Sequence, residues 1–202
     1  QQRNHLVVTD ASGKTVGILG FGGIGKAVHK MLSGFGVNFL IADPYLPEEQ
    51  AGQYGIKLVP FEELLQKSDI ITIHVPLKGG ETYHLFDAPQ FEMMKPSAIL
   101  INTSRGGIVN LEALDVALRQ GKIAFAGIDV YEQEPPVPGL KLIDNPNAIC
   151  TPHLSWVSEE SVFSLREKIF QNVRRFVNGE PLPHVVNAAD LSKAKNNSEE
   201  IK

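Results

Sequence analysis

Thr15 to Asp43 reads TVGILGFGGIGKAVHKMLSGFGVNFLIAD. Its opening apolar run, Val16 to Leu19, is too short for a helix and fits a buried parallel strand. Gly20-Phe21-Gly22-Gly23-Ile24-Gly25 then spells G-x-G-x-x-G at a strand-to-helix turn. Ala27, Val28, Met31 and Leu32 recur at helical spacing, Gly34 and Gly36 stop that helix, and Val37 to Ala42 make a second apolar run ending in Asp43. This is one βαβ unit. Gly20 permits the tight turn, Gly22 lets the backbone approach a pyrophosphate, and Gly25 lets helix and strand pack closely. Gly23 and Ile24 complete the turn beside the helix start, whose free N–H groups and dipole favour phosphate. Asp43 stands where an acid accepts hydrogen bonds from an adenosine ribose, and its charge repels a 2′-phosphate. The expected cofactor is therefore NAD rather than NADP.

Gly20 to Lys26 also spells G-x-x-x-x-G-K, close to a nucleoside-triphosphate loop. That loop requires a Ser or Thr after the lysine to hold Mg²⁺, and here Ala27 follows. The triphosphate reading loses its metal ligand, and no metal site is expected.

The 202 residues are 43% hydrophobic and 21% charged, enough for one sizeable α/β core. A net charge of −4 with scattered basic residues argues against nucleic acid. The lone Cys150 excludes an internal disulfide framework and, among Ala148, Ile149 and Thr151, reads as a buried strand residue of a protein from the reducing cytoplasm. No apolar run approaches membrane-spanning length. The chain opens Gln1-Gln2-Arg3-Asn4 without an initiator methionine, which points to a fragment or processed chain.

Residues 1–12 read as a polar lead-in around Leu6-Val7-Val8. After Asp43, Pro44-Tyr45-Leu46-Pro47 makes a rigid turn in which Tyr45 either shields an adenine or covers a loop. Leu58-Val59 is a candidate short strand. Pro60 to Leu65 starts a helix, Ile70 to Val75 a core strand, Pro89 to Met94 a short helix, and Ala98 to Ile101 another strand. His74 and His84, flanking a polar loop, read as packed or hydrogen-bonded residues rather than catalysts. Leu111, Leu114, Ala117 and Leu118 stripe the next helix, followed by strands at Ala124 to Val130 and Ala148 to Thr151. The longest helix spans 158–178, capped by Ser158, with Val162, Leu165, Ile169, Val173 and Phe176 as its apolar face. The tail from Leu191 is polar and expected to be disordered. The alternation predicts an α/β, doubly wound, Rossmann-like parallel sheet with helices on both faces, the cofactor domain running over 13–179 and a tail over 180–202.

In such sheets ligands gather at the carboxyl ends of strands. Arg105 follows one strand end beside Gly106 and Gly107, as an anion ligand or as an ordinary surface arginine. Asp129 to Glu134 follow another end, and His153 a third. Arginine grips a carboxylate with two parallel hydrogen bonds, histidine titrates near neutrality, and a neighbouring glutamate favours its charged form. Reducing a 2-oxo acid with a nicotinamide requires such a set.

With these residues in view, the chain closely resembles the D-isomer-specific 2-hydroxyacid dehydrogenase family. The matching stretches are GKTVGILGFGGIG at 13–25, IHVPL at 73–77, NTSRGGIVN at 102–110, GIDVYEQEP at 127–135 and PHLSW at 152–156. The resemblance implies that Arg105 binds the substrate carboxylate, His153 is the acid/base, and Glu134 is its partner. It places Thr103 in the loop lining the nicotinamide end and Asp129 beside that end, although Asp129 serves equally well as a capping or turn acid. It further implies a small 2-hydroxy or 2-oxo acid as substrate, a homodimer in the intact protein, and a separate N-terminal substrate lobe that this stretch of sequence lacks. Asn110 stands where the family often has an acid, and Trp156 either shapes the acceptor pocket or packs. Some members of the superfamily look like NAD-sensing corepressors that keep the same three residues, and motifs do not separate the two.

Overall fold

The computed structural model describes residues 9–183, 185 and 187. The lead-in patch Leu6-Val7-Val8 and the tail from Leu191 lie outside them. The first compact unit ends at Ser155 and a second begins at Trp156.

In the first unit, six parallel strands form one sheet: β1 (Thr15–Leu19), β2 (Asn38–Ala42), β3 (Ile70–Ile73), β4 (Ile99–Asn102), β5 (Phe125–Ile128) and β6 (Ala148–Cys150), in the order β2-β1-β3-β4-β5-β6. The Rossmann-like reading holds. β2 lies on one side of β1 and all later strands lie on the other, so the connections diverge above β1 and β3. A crevice opens at their carboxyl ends, where such sheets bind ligands. The short strand expected at Leu58-Val59 is a single parallel bridge, Leu58 to Ile41, with Val59 N–H donating to the Ile41 carbonyl at 2.9 Å. Pro60 follows immediately and has no N–H to continue a ladder.

Alternation across the strands sorts the core into two layers. Val16, Ile18 and Ile41 face helix α1 (Gly23–Leu32), with Val28 and Leu32 packed on them. Leu19, Ile71, Ile73, Leu100 and Ile128 point the other way. Over that second face lie α3 (Phe61–Lys67), α5 (Ala88–Met93) and α6 (Leu111–Arg119); the short α2 (Glu48–Gln53) precedes α3, and the short α4 (Gly79–Thr82) lies between α3 and α5 in the chain. On the α1 face the register carries on through Ile99 to Phe125 and through Ile101 and Gly127 to Ile149. Phe125 and Ile149 remain 51% and 72% exposed there, so helical cover from the first unit thins out towards β6. Cys150, expected to be buried, is only half-buried because β6 is an edge strand.

The second unit contains α7 (Glu159–Val177), capped by Ser158 Oγ accepting from Ser161 N–H at 3.0 Å. The expected apolar stripe forms but no residue of the helix is buried. A helix buries its stripe only against another packed element, and propensity alone supplies none.

Where α3 meets β1, Gly17 faces Leu64 and the Ser68 hydroxyl, with no room for a side chain. Ser68 Oγ is fully buried and has no hydrogen-bond partner among the described residues. An unpaired buried hydroxyl is destabilising, so Ser68→Ala should raise the unfolding free energy by about 1 kcal/mol in a urea melt. A loss of stability would show that the hydroxyl has a partner.

Candidate active site and cofactor cleft

The glycine turn leaves β1 at Gly20, whose φ of 90° is closed to most side chains. A Cβ there would lie 2.9 Å from the His74 carbonyl carbon and from Val75 N. Gly25 in the first turns of α1 sits against the Gly20 carbonyl oxygen, and a methyl group would overlap it. Gly22 and Gly23 face open space and Ile24 is exposed, leaving the approach to the helix start clear. No side chain caps α1 and its first turn holds no acid. A bare helix start of this kind suits a phosphate. Lys26 turns away, its Nζ 5.0 Å from the Tyr54 ring centroid.

Asp43 ends β2 and ties the cleft together. Its Oδ2 accepts from Phe21 N–H at 2.8 Å and its Oδ1 from Tyr45 N–H at 2.9 Å. Each oxygen keeps a lone pair for further donors. Beside it lies a cavity of about 650 Å³ lined by Gly20, Asp43, Tyr45, Val59, His74 and Glu81, among others. The Tyr45 hydroxyl donates to Glu81 Oε2 at 2.7 Å, and Lys78 Nζ lies 4.4 Å from the Tyr45 ring centroid. Tyr45 thus lines the cavity while remaining exposed. His74 Nε2 is 3.0 Å from Thr72 Oγ1, and burial pushes its pKa down.

The second half of the site lies at the ends of β4, β5 and β6. Asn102, fully buried, brackets the turn after β4: its Oδ1 accepts from Ser104 N–H and its Nδ2 donates to the Arg105 carbonyl, both at 3.0 Å. Ser104 Oγ donates to the Val75 carbonyl at 2.5 Å, fastening the turn to the end of β3. Thr103 and Arg105 are exposed on it. Arg105 donates from Nη1 to the Ser104 carbonyl at 2.6 Å, leaving guanidinium donors for a ligand.

Asp129, 3% exposed, follows β5 and accepts four hydrogen bonds, from Thr151 Oγ1, Leu154 N–H, Ser155 N–H and Ser155 Oγ, at 2.5–2.9 Å. Burial opposes its ionisation, but the bonds from Ser155, Thr151 and Leu154 outweigh that and hold the carboxyl at about 2. All four go to the 151–155 turn, the pattern of a turn acid. The Asp129 carbonyl also accepts from His153 N–H at 2.8 Å. His153 is thereby held with φ at 54°, and its Nδ1 sits 2.7 Å from Glu134 Oε2. A carboxylate only accepts, so Nδ1 carries the proton and Nε2 is left for chemistry. Glu134 Oε1 accepts from Tyr131 N–H at 3.1 Å. The His153 bond, then the Tyr131 N–H, lowers the Glu134 carboxyl, and the Arg105 charge adds to this. Beneath the pair, burial pushes the Tyr131 phenol up to about 12.

The structure thus gathers the glycine turn, Asp43, Arg105, Asp129, Glu134 and His153 along one edge of the sheet. The sequence alone does not single out Asn102, Ser104, Lys78 or Glu81, whereas His74 is packed and hydrogen-bonded as expected. A polar residue closing a buried strand, as Asn102 does, is the signal that would have found the first. Among the described residues, no three His, Cys, Asp or Glu side chains gather as metal ligands.

Residues 1–155 match the D-isomer specific 2-hydroxyacid dehydrogenase, NAD binding domain family. The chain is 42% identical over 178 residues to a glyoxylate reductase of Korarchaeum cryptofilum, covering 88% of this chain and 53% of the relative. It is 39% identical over 190 residues to a D-3-phosphoglycerate dehydrogenase of Archaeoglobus fulgidus, covering 94% and 36%. Among solved structures, a D-lactate dehydrogenase with NAD⁺ from Lactobacillus jensenii aligns with a TM-score of 0.83 at 31% identity, covering 93% of this chain and 59% of that one. The chain therefore spans about a third to a little over half the length of these proteins.

Proposed function

The chain belongs to the D-isomer-specific 2-hydroxyacid dehydrogenase family as its NAD-binding domain, and from that premise we propose that it holds NAD while Arg105, Glu134 and His153 act on a 2-hydroxy or 2-oxo acid. The residues present fit the cofactor: a bare helix start for the pyrophosphate, an acid for the ribose hydroxyls and a mostly apolar cavity beyond. When bound, NAD supplies the hydride acceptor and NADH the donor. Arg105 grips the substrate carboxylate and polarises the adjacent carbonyl. His153 gives its Nε2 proton to the carbonyl oxygen in reduction and takes it back in oxidation. Glu134 fixes the Nδ1–H tautomer and stabilises the imidazolium. Thr103 lines the nicotinamide end, and Asp129 holds the His153 turn there.

The observation that carries this reading is the 2.7 Å His153–Glu134 pair standing on the same sheet edge as the uncapped start of α1. The whole protein acts on small acids as a cytoplasmic homodimer, without nucleic acid or membrane as partner. A net charge of −4 with scattered bases speaks against nucleic acid, and a single cysteine fits the reducing cytoplasm.

Parallel calorimetric titrations of this chain with NADH, NADPH and ATP plus Mg²⁺ test the cofactor half. Saturable NADH binding tighter than NADPH, with ATP weakest, is expected from Asp43 and Ala27. Failure of a folded chain to bind NADH, or Mg²⁺-dependent ATP binding that exceeds it, would overturn the reading.

A further inference from the structure

Two non-glycine residues among those described have left-handed backbones: His153, at φ 54°, and His84, at φ 49°. Residues with a Cβ keep that conformation only where their surroundings hold it, and glycine would relieve the strain. A histidine at position 84 therefore points to a use for its ring. The ring stacks on Tyr83 with centroids 4.0 Å apart and planes 16° apart, and its Nε2 is 2.9 Å from Glu132 Oε2.

The backbone of the same segment is fastened elsewhere. His84 N–H donates to the Gly107 carbonyl at 2.8 Å and Phe86 N–H to the Ile108 carbonyl at 3.0 Å, both in the turn that follows Arg105. Glu132 stands two residues before Glu134, in the loop whose Tyr131 N–H donates to Glu134 Oε1. Among the described residues its side chain is otherwise held by longer contacts, from Leu111 N–H at 3.4 Å and the Tyr83 hydroxyl at 3.5 Å. His84 is thus bound by its main chain to the Arg105 turn and by its side chain to the Glu134 loop.

We propose that His84 is a positioning residue: by clamping Glu132 to the Arg105 turn it sets the orientation of Glu134, and through it His153, relative to Arg105. This rests on the assignment of those three residues under Proposed function. The test replaces His84 with Gly, which removes the ring and relieves the backbone, and with Gln, which keeps a donor near the place of Nε2. Glu132→Ala breaks the bond from its other end, so the test survives if one variant does not fold.

In the chain itself, ¹³C NMR follows the Glu134 carboxyl titration. His84→Gly and Glu132→Ala should both move its midpoint up towards the ordinary glutamate range, the double variant should add nothing further, and His84→Gln should stay near the parental midpoint. In the complete polypeptide the first two should lower kcat about 10-fold, with KM for the acid little changed, as expected for a displaced catalytic pair. A merely structural clamp predicts that His84→Gly changes melting temperature alone, and an unmoved Glu134 midpoint with parental kcat in folded variants would overturn the proposal. If His153→Gln in the same polypeptide left kcat unchanged, the reading of the site itself would fail, whatever His84 does.

Discussion

In the complete polypeptide, His153→Gln should lower kcat/KM for reduction of a 2-oxo acid by NADH about 10²–10⁴-fold, the range that a positioned general acid contributes. Glutamine keeps a donor towards Glu134 but has no group that titrates near neutrality. NADH affinity, assigned under Proposed function to the glycine turn and Asp43, should not change. Arg105→Ala should lose comparable activity by another route, raising KM as well as lowering kcat because the carboxylate loses its two-pronged partner. Steady-state kinetics on both variants, with calorimetry for NADH, check this. Parental turnover in both would remove these residues from the chemistry. A parental protein that binds NADH but reduces none of a panel of 2-oxo acids would favour the NAD-sensing alternative.

The second large effect falls on stability. Asp129→Asn should destabilise the chain by about 3 kcal/mol, because the one oxygen of an amide at this buried position cannot accept the four bonds that the carboxylate takes, and its NH₂ group meets the donors of the 151–155 turn. The folded carboxyl lies at about 2 against 3.8 for an unperturbed aspartate, so the unfolded chain binds the proton more readily. Its contribution is complete above about pH 4 and disappears as the pH falls through 2, amounting to about 2 kcal/mol. Urea melts at pH 5 and as far down towards pH 2 as folding allows should show a smaller acid loss in Asp129→Asn than in the parent. An equal loss in both would mean that Asp129 is not ionised in the turn.

The glycine turn, the strands and the residues at their ends were legible in the sequence for a physical reason. Parallel strands buried on both faces read as continuous apolar runs, and their carboxyl ends fall on one edge whatever the loops do. What escaped are contacts between residues far apart in sequence. Tyr45 and Glu81 meet across 36 positions and His84 and Glu132 across 48, and no periodicity encodes such pairs. The short helix Glu48–Gln53 was missed because its six residues include Gly52 and it is anchored in the core by Ala51 alone. His84 is packed and hydrogen-bonded as the sequence suggests, but its left-handed backbone and its partner Glu132 exist only in the folded chain.

Asp43 bears on how such a protein can change its cofactor over evolution or in the laboratory. The carboxylate proposed above to meet a ribose also accepts from Phe21 N–H inside the glycine turn and from Tyr45 N–H in the cavity wall. Exchanging it for a neutral or basic residue to admit a 2′-phosphate also frees the Phe21 N–H inside the glycine turn proposed to cradle the pyrophosphate. A route from NAD to NADP that keeps its efficiency therefore passes through paired changes, one to welcome the phosphate and one to give the orphaned Phe21 N–H a new acceptor.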